Sequence, residues 1–238
     1  MPYPDKERFL RAQMVLGERA LERLEKAHVA VVGLGGVGSY AAEAIVRAGV
    51  GEITLLDADR VSVSNINRQL CALESTVGRK KTEVVAARVL DIHPKIRLHT
   101  LDFFYDENRR DEFFYTQFDF VLDCIDTVSA KADLICQASA RGIPILSALG
   151  TGNKLDPAKL EFADIYATSV CPLARVMRRE LKKRGIAAHR VLYSREQPHH
   201  AVVAENGRYA PGSVSWVPGC AGLMLAGEAV QTLISHQV

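Results

Sequence analysis

A glycine-rich turn set between an apolar run and a helical pattern constrains this chain more than any other feature. Residues 27–32 form a short β-rich apolar run, residues 33–39 read GLGGVGS, and residues 37–48 place small and apolar side chains at helical spacing. Strand, glycine turn and helix in that order give G-x-G-x-x-G its physical meaning. Gly33 and Gly35 permit a tight turn and let a phosphate approach backbone N–H groups, with Gly36 in the same loop. Gly38 lets the helix pack against the strand. Asp57 follows about twenty residues later, at the end of a second apolar run (52–56), where a carboxylate can accept hydrogen bonds from ribose hydroxyls. These residues predict a nucleotide site without choosing between NAD and ATP.

The same alternation continues, with helix 82–90, strand 96–101, charged helix 106–114, strand 118–124, helix 129–140 and strand 143–148. It predicts an α/β fold, a Rossmann-like, mostly parallel sheet with helices on both faces. After Gly150 the rhythm changes. Strands 160–166 and 190–193, a basic helix 172–184 and a turn-rich stretch 202–217 predict an extension by antiparallel strands. Before residue 27, Phe9, Met14, Leu16, Leu21 and Leu24 suggest two short helices packed on the body.

With 48% hydrophobic and 24% charged residues in 238, the chain can bury a sizeable core, and no linker divides it. It reads as a single domain, 1–238, with N-terminal helices (1–26), a nucleotide-binding part (27–150) and a C-terminal extension (151–238). Five scattered cysteines, none in C-x-x-C spacing, argue against a structural zinc site and for a reducing, cytoplasmic setting. The N-terminus lacks the apolar core of a secretory signal. The apolar run 218–234 is interrupted by Glu228 and falls short of the roughly 20 residues that span a bilayer, so a buried helix and no membrane partner are expected. A net charge of +2 leaves any nucleic-acid contact to local patches.

The stretch 57–69 crowds acids and donors behind the second strand, more than a dinucleotide site needs. Arg68 offers a planar fork for phosphate oxygens, and Lys81 sits at a helix start, where the helix dipole also favours anions. Together they can neutralise a departing pyrophosphate. Asp126 falls just past a strand's carboxyl end and can hold Mg²⁺ or cap the following helix; Asp123 suits a structural role. A hydride-transfer constellation is not visible.

The motifs GLGGVGS (33–39), LLDADRVSVSNINRQ (55–69), VGRKK (77–81) and DCIDT (123–127), in that order, resemble the ubiquitin-activating-like superfamily of carboxylate-adenylating enzymes. The resemblance implies ATP and Mg²⁺ as cofactors, Asp57 on the ribose, Arg68 and Lys81 on the phosphates, and Asp126 on the metal. It adds Asp59, Asn67 and Gln69 to the nucleotide site. It also implies a homodimer, in which Arg11 reaches the partner's ATP. The paired C-x-x-C motifs of sulfur-carrier activators are missing.

The second half, through residues 150–186, 191–198 and 212–228, is similar to the tRNA threonylcarbamoyladenosine dehydratases instead. That similarity implies a substrate-binding and dimer-forming role for 151–238, tRNA carrying threonylcarbamoyladenosine as partner, and adenylation of its carboxylate followed by cyclisation. It leaves room for a sulfur-transfer protein as a further partner. Such chemistry needs no enzyme cysteine, and Cys171 reads as a small buried residue before a helix. On that helix Arg175, Arg178, Arg179 and Lys182 recur at spacings of three and four, a cationic stripe suited to RNA phosphates, with Leu173, Val176, Met177 and Leu181 opposite. His199 and His200 read as a surface turn. The alternatives are an adenylyltransferase for a ubiquitin-like sulfur carrier, an NAD-dependent oxidoreductase and a silent nucleotide-binding scaffold.

Overall fold

A computed structural model of the chain describes residues 5–199 and 211–235. Helices α1 (Asp5–Arg8), α2 (Leu10–Leu16) and α3 (Glu18–Lys26) precede β1 (His28–Val32) and α4 (Gly38–Arg47). Then follow β2 (Glu52–Leu56), α5 (Lys81–Ile92), β3 (Arg97–Leu101), α6 (Arg110–Phe113), β4 (Phe120–Asp123), α7 (Val128–Ala140) and β5 (Ile145–Ala148). The C-terminal part holds β6 (Leu160–Asp164), α8 (Pro172–Lys183), β7 (Arg190–Ser194) and α9 (Trp216–Ser235). The seven strands form one sheet in the order β3-β2-β1-β4-β5-β7-β6.

All neighbours are parallel except β6, which runs antiparallel to β7 at the edge. The antiparallel extension is therefore one strand; β7 returns parallel to β5 across α8. Strand order reverses between β1 and β4, and a crevice forms outside the strand ends at such a switch point. β1 is buried along its whole length, as its unbroken apolar run requires of a central parallel strand.

One core cluster joins Leu24, β1, α4 and β2 to Val217, Ala221 and Leu225 of α9, so both halves of the chain share a core. The close fit of α4 against α9 rests on Gly222, where a Cβ would lie 2.3 Å from the Val37 carbonyl oxygen. Helix α9 has 20 residues, reaching two residues further toward the N-terminus than expected, so length does not distinguish it from a membrane span. What distinguishes it is its face packed in the core.

Other expectations shift. The N-terminal segment makes three helices; Leu24 is fully buried, but Met14 is 67% exposed because α2 buries no residue. The charged helix expected over 106–114 shrinks to α6. His200 and most of the turn-rich stretch lie outside the described residues.

Candidate active site

The site is assembled from the loops at the carboxyl ends of β1, β2, β4 and β5. Gly33 leaves β1 at φ +89° and closes against β4, where a Cβ would meet the Cys124 carbonyl oxygen at 2.8 Å. Gly38, the first residue of α4, leaves even less room: a Cβ would sit 1.7 Å from the Gly33 carbonyl oxygen. These two close approaches hold the glycine loop against the ends of β1 and β4, and the Gly33 N–H donates to the Leu56 carbonyl at 2.8 Å.

A cavity of about 870 Å³ opens beside this loop. Gly33, Gly35, Gly36, Asp57, Asp59, Arg68, Gln69, Lys81 and Asp126 line it. Gly38 lies beneath the wall, and Arg11 is exposed on α2 and does not line the cavity. Asn67 sits at the rim, where its amide donates to the Ser213 carbonyl at 2.9 Å and its side-chain oxygen accepts from Arg68 at 2.9 Å.

Asp57 is nearly buried. One carboxylate oxygen accepts the Leu34 N–H at 2.6 Å and the other the Asp59 N–H at 2.7 Å, which fixes the acid against the glycine loop. Burial raises its pKa above the usual carboxylate value, against the opposing pull of Lys81. Lys81 is placed by backbone pairing. Val61 N–H donates to the Arg79 carbonyl, and Lys81 N–H to the Asp59 carbonyl, so the strand end and the start of α5 run side by side. Lys81 is 5% exposed, and its ammonium lies 2.7 Å from Asp59 and 3.9 Å from Asp57. A cation so enclosed exchanges carboxylate for phosphate at little desolvation cost.

Asp126 is exposed on the cavity side, and α7 takes Thr127 as its N-cap, so the helix-capping alternative for Asp126 does not occur. Asp123 is fully buried in a network. The Lys131 ammonium, also fully buried, donates to Asp123 at 2.8 Å and to the Ala148 carbonyl at 3.0 Å; Ser147 donates to Asp123 at 2.6 Å and pairs with His189 at 2.8 Å. This network ties the ends of β4 and β5 to β7, beneath Cys124 and Ile125 of the cavity wall. Burial pushes the His189 imidazole down to about 4.

The opposite wall falls largely in the stretches that carry the dehydratase resemblance, but holds none of the individual nucleotide-site residues expected from the sequence. It comprises Gly150, Thr151, Gly152 and Leu173 together with Pro211, Gly212 and Ser213, joined through Asn153, whose N–H donates to the Gly212 carbonyl at 2.7 Å. A second glycine pair straight after a strand is the signal that could have found it. Cys171 is 2% exposed, N-caps α8 through its sulfur, and does not line the cavity. Helix α8 starts at the cavity with Leu173 and directs Arg175, Arg179 and Lys182 to solvent, whereas Arg178 turns back to the Thr168 carbonyl at 2.9 Å. Val176, expected on the apolar face, is 43% exposed; Ala174 takes the buried position with Met177 and Leu181. His199 is exposed and bonded to Glu196 at 3.0 Å, but in irregular backbone and not in the expected turn.

A glycine loop, acid pair and buried lysine at the switch point of such a sheet invite comparison with known proteins. The family model of the ThiF family matches residues 8–238.

The chain belongs to the ThiF family.

Within it, the chain is 40% identical to the tRNA threonylcarbamoyladenosine dehydratase of Bacillus subtilis over 95% of this chain and 94% of that one. The crystal structure of Escherichia coli tRNA N6-threonylcarbamoyladenosine dehydratase in complex with AMP is similar at a TM-score of 0.90 and 32% identity, covering 97% of this chain and 95% of that one. The same enzyme in complex with ATP gives 0.89 and 33% over the same shares. The ThiF-family likeness thus runs through the C-terminal half as well as the nucleotide-binding half.

Proposed function

We propose that this ThiF-family chain is an ATP-dependent dehydratase that cyclises threonylcarbamoyladenosine beside the tRNA anticodon. The observation that supports this most is the likeness to dehydratases along nearly the whole chain. Residues 1–238 work as one domain, acting on tRNA in the cytoplasm.

In this reading the glycine loop and Asp57 hold ATP, the loop amides meeting phosphate and the acid meeting ribose. Gln69, Asn67 and Asp59 complete the pocket, and Arg11 serves the partner's site in a homodimer. Asp126, an exposed carboxylate at the cavity, suits the hard oxygen coordination of Mg²⁺, which supplies neutralisation of phosphate charge. The substrate carboxylate attacks the α-phosphorus and pyrophosphate departs, its charge met by Lys81 released from Asp59 and by Arg68. An intramolecular nucleophile then attacks the acyl carbon, and the former carboxylate oxygen leaves with AMP, which accounts for the water lost. Arg175, Arg179 and Lys182 continue outward from the cavity as a track for tRNA phosphates, with Arg178 holding the start of the helix.

ATP-dependent AMP release is to be measured with unmodified and threonylcarbamoylated tRNA, alongside nucleoside mass. Release only with modified tRNA, with one water lost from the nucleoside, is expected. Release stimulated by a ubiquitin-like sulfur carrier and not by tRNA would replace this reading with protein adenylation.

A further inference from the structure

At the opposite end of the sheet from the ATP cavity, the strand register gathers a second set of polar side chains. His28 of β1 pairs with Glu52 of β2, Glu52 with Arg97 of β3, and Thr54 with His99, so these five side chains share one face of three adjacent strands. Glu52 Oε1 lies 3.5 Å from His28 Nδ1 and 2.9 Å from His99 Nε2, and the three ligand atoms all fall within 4.8 Å of one another.

We infer that His28, Glu52 and His99 form a binding site for a single Zn²⁺ ion that staples β1, β2 and β3 together. Tetrahedral zinc with bonds near 2.1 Å sets its ligands about 3.4 Å apart, within the span these atoms already occupy. Two imidazoles and a carboxylate suit borderline Zn²⁺ and not Mg²⁺, which prefers oxygen alone. His28 is fixed from behind by Thr54, whose hydroxyl meets Nε2 at 2.8 Å and leaves Nδ1 facing Glu52, the arrangement by which outer groups orient a metal-binding imidazole. Phe118 closes the other side of the His28 ring at 4.8 Å between centroids. Arg97 occupies the far oxygen of Glu52 at 2.8 Å, on a side chain 59% exposed, and leaves Oε1 to the histidines. His99, 39% exposed, keeps an entry path from solvent and room for water as fourth ligand.

The site is independent of the proposed activity and is tested on nucleotide-free protein with Zn²⁺ alone. Calorimetry is expected to give one saturable Zn²⁺ per chain that excess Mg²⁺ does not displace, and a rise in thermal midpoint. His99→Ala, a change at a half-open position, is expected to weaken binding at least about tenfold and cancel the thermal shift, and Thr54→Val to weaken it about ten- to a hundredfold. AMP release by His99→Ala is expected to stay at the wild-type rate. Absence of saturable binding would overturn the inference. So would binding left intact in both His99→Ala and Glu52→Gln, because the ion would then sit elsewhere, on cysteine sulfur for instance.

Discussion

Lys81 waits between two carboxylates instead of in solvent, and that placement sets what its loss does. Lys81→Ala removes the ammonium from both Asp57 and Asp59 and leaves their charge unopposed where phosphate must enter. A fall of about 10²-fold or more in kcat/KM is expected from single-turnover AMP release, with tRNA affinity unchanged by filter binding. His189 makes a second residue-scale prediction. Burial holds it neutral, with a pKa of about 4 against 6.5 unfolded, so the unfolded chain binds the extra proton between those values. The stabilising effect of the neutral ring is fully present above 6.5 and is lost as pH falls toward 4, by about 3 kcal/mol at most. Urea midpoints measured down this window are expected to decline steeply in the wild type and less in His189→Gln, which can still bond Ser147.

Two of the three glycines in helix α9 have opposite duties. Gly222 lies where a Cβ would strike the Val37 carbonyl at 2.3 Å, while nothing lies within 4 Å at Gly227. Gly227→Ala is expected to raise stability by about 0.5–1 kcal/mol through helix propensity, and Gly222→Ala to lower it by forcing α4 and α9 apart; chemical denaturation reads both. Elements from β1 to β5 were legible in the sequence because each alternates a β-rich run with a helical period. The place of β7 was not: two-residue periodicity shows that a strand exists but not which neighbour it joins or in which direction. Met14 misled for a related reason, since an apolar residue in a short helix is buried only if a partner surface reaches it, and α2 meets none there.

Across the whole molecule, one wall of the cavity was readable residue by residue and the other only as a stretch of family resemblance. Gly33 to Lys81 are gathered by one strand–turn–helix unit and the segment after it, so local motifs disclose them. Gly150 to Gly152, Pro211 to Ser213 and the buried Asp123, Lys131, Ser147 and His189 meet only after the sheet has formed. The α8 stripe also acts at this scale, since a tRNA is larger than any one element. Replacing Arg175, Arg179 and Lys182 together by Gln is expected to flatten the salt dependence of tRNA binding by about 0.7–0.9 for each phosphate no longer neutralised, with AMP release at saturating tRNA unchanged. An unchanged slope would make the stripe a solvated face. The packing of α9 on α4 has a further consequence for biosynthesis. The helix that opens from the glycine loop leaves the ribosome well before the helix that covers it and the Pro211 to Ser213 rim, so a nascent chain stalled between the two lacks one wall of the cavity.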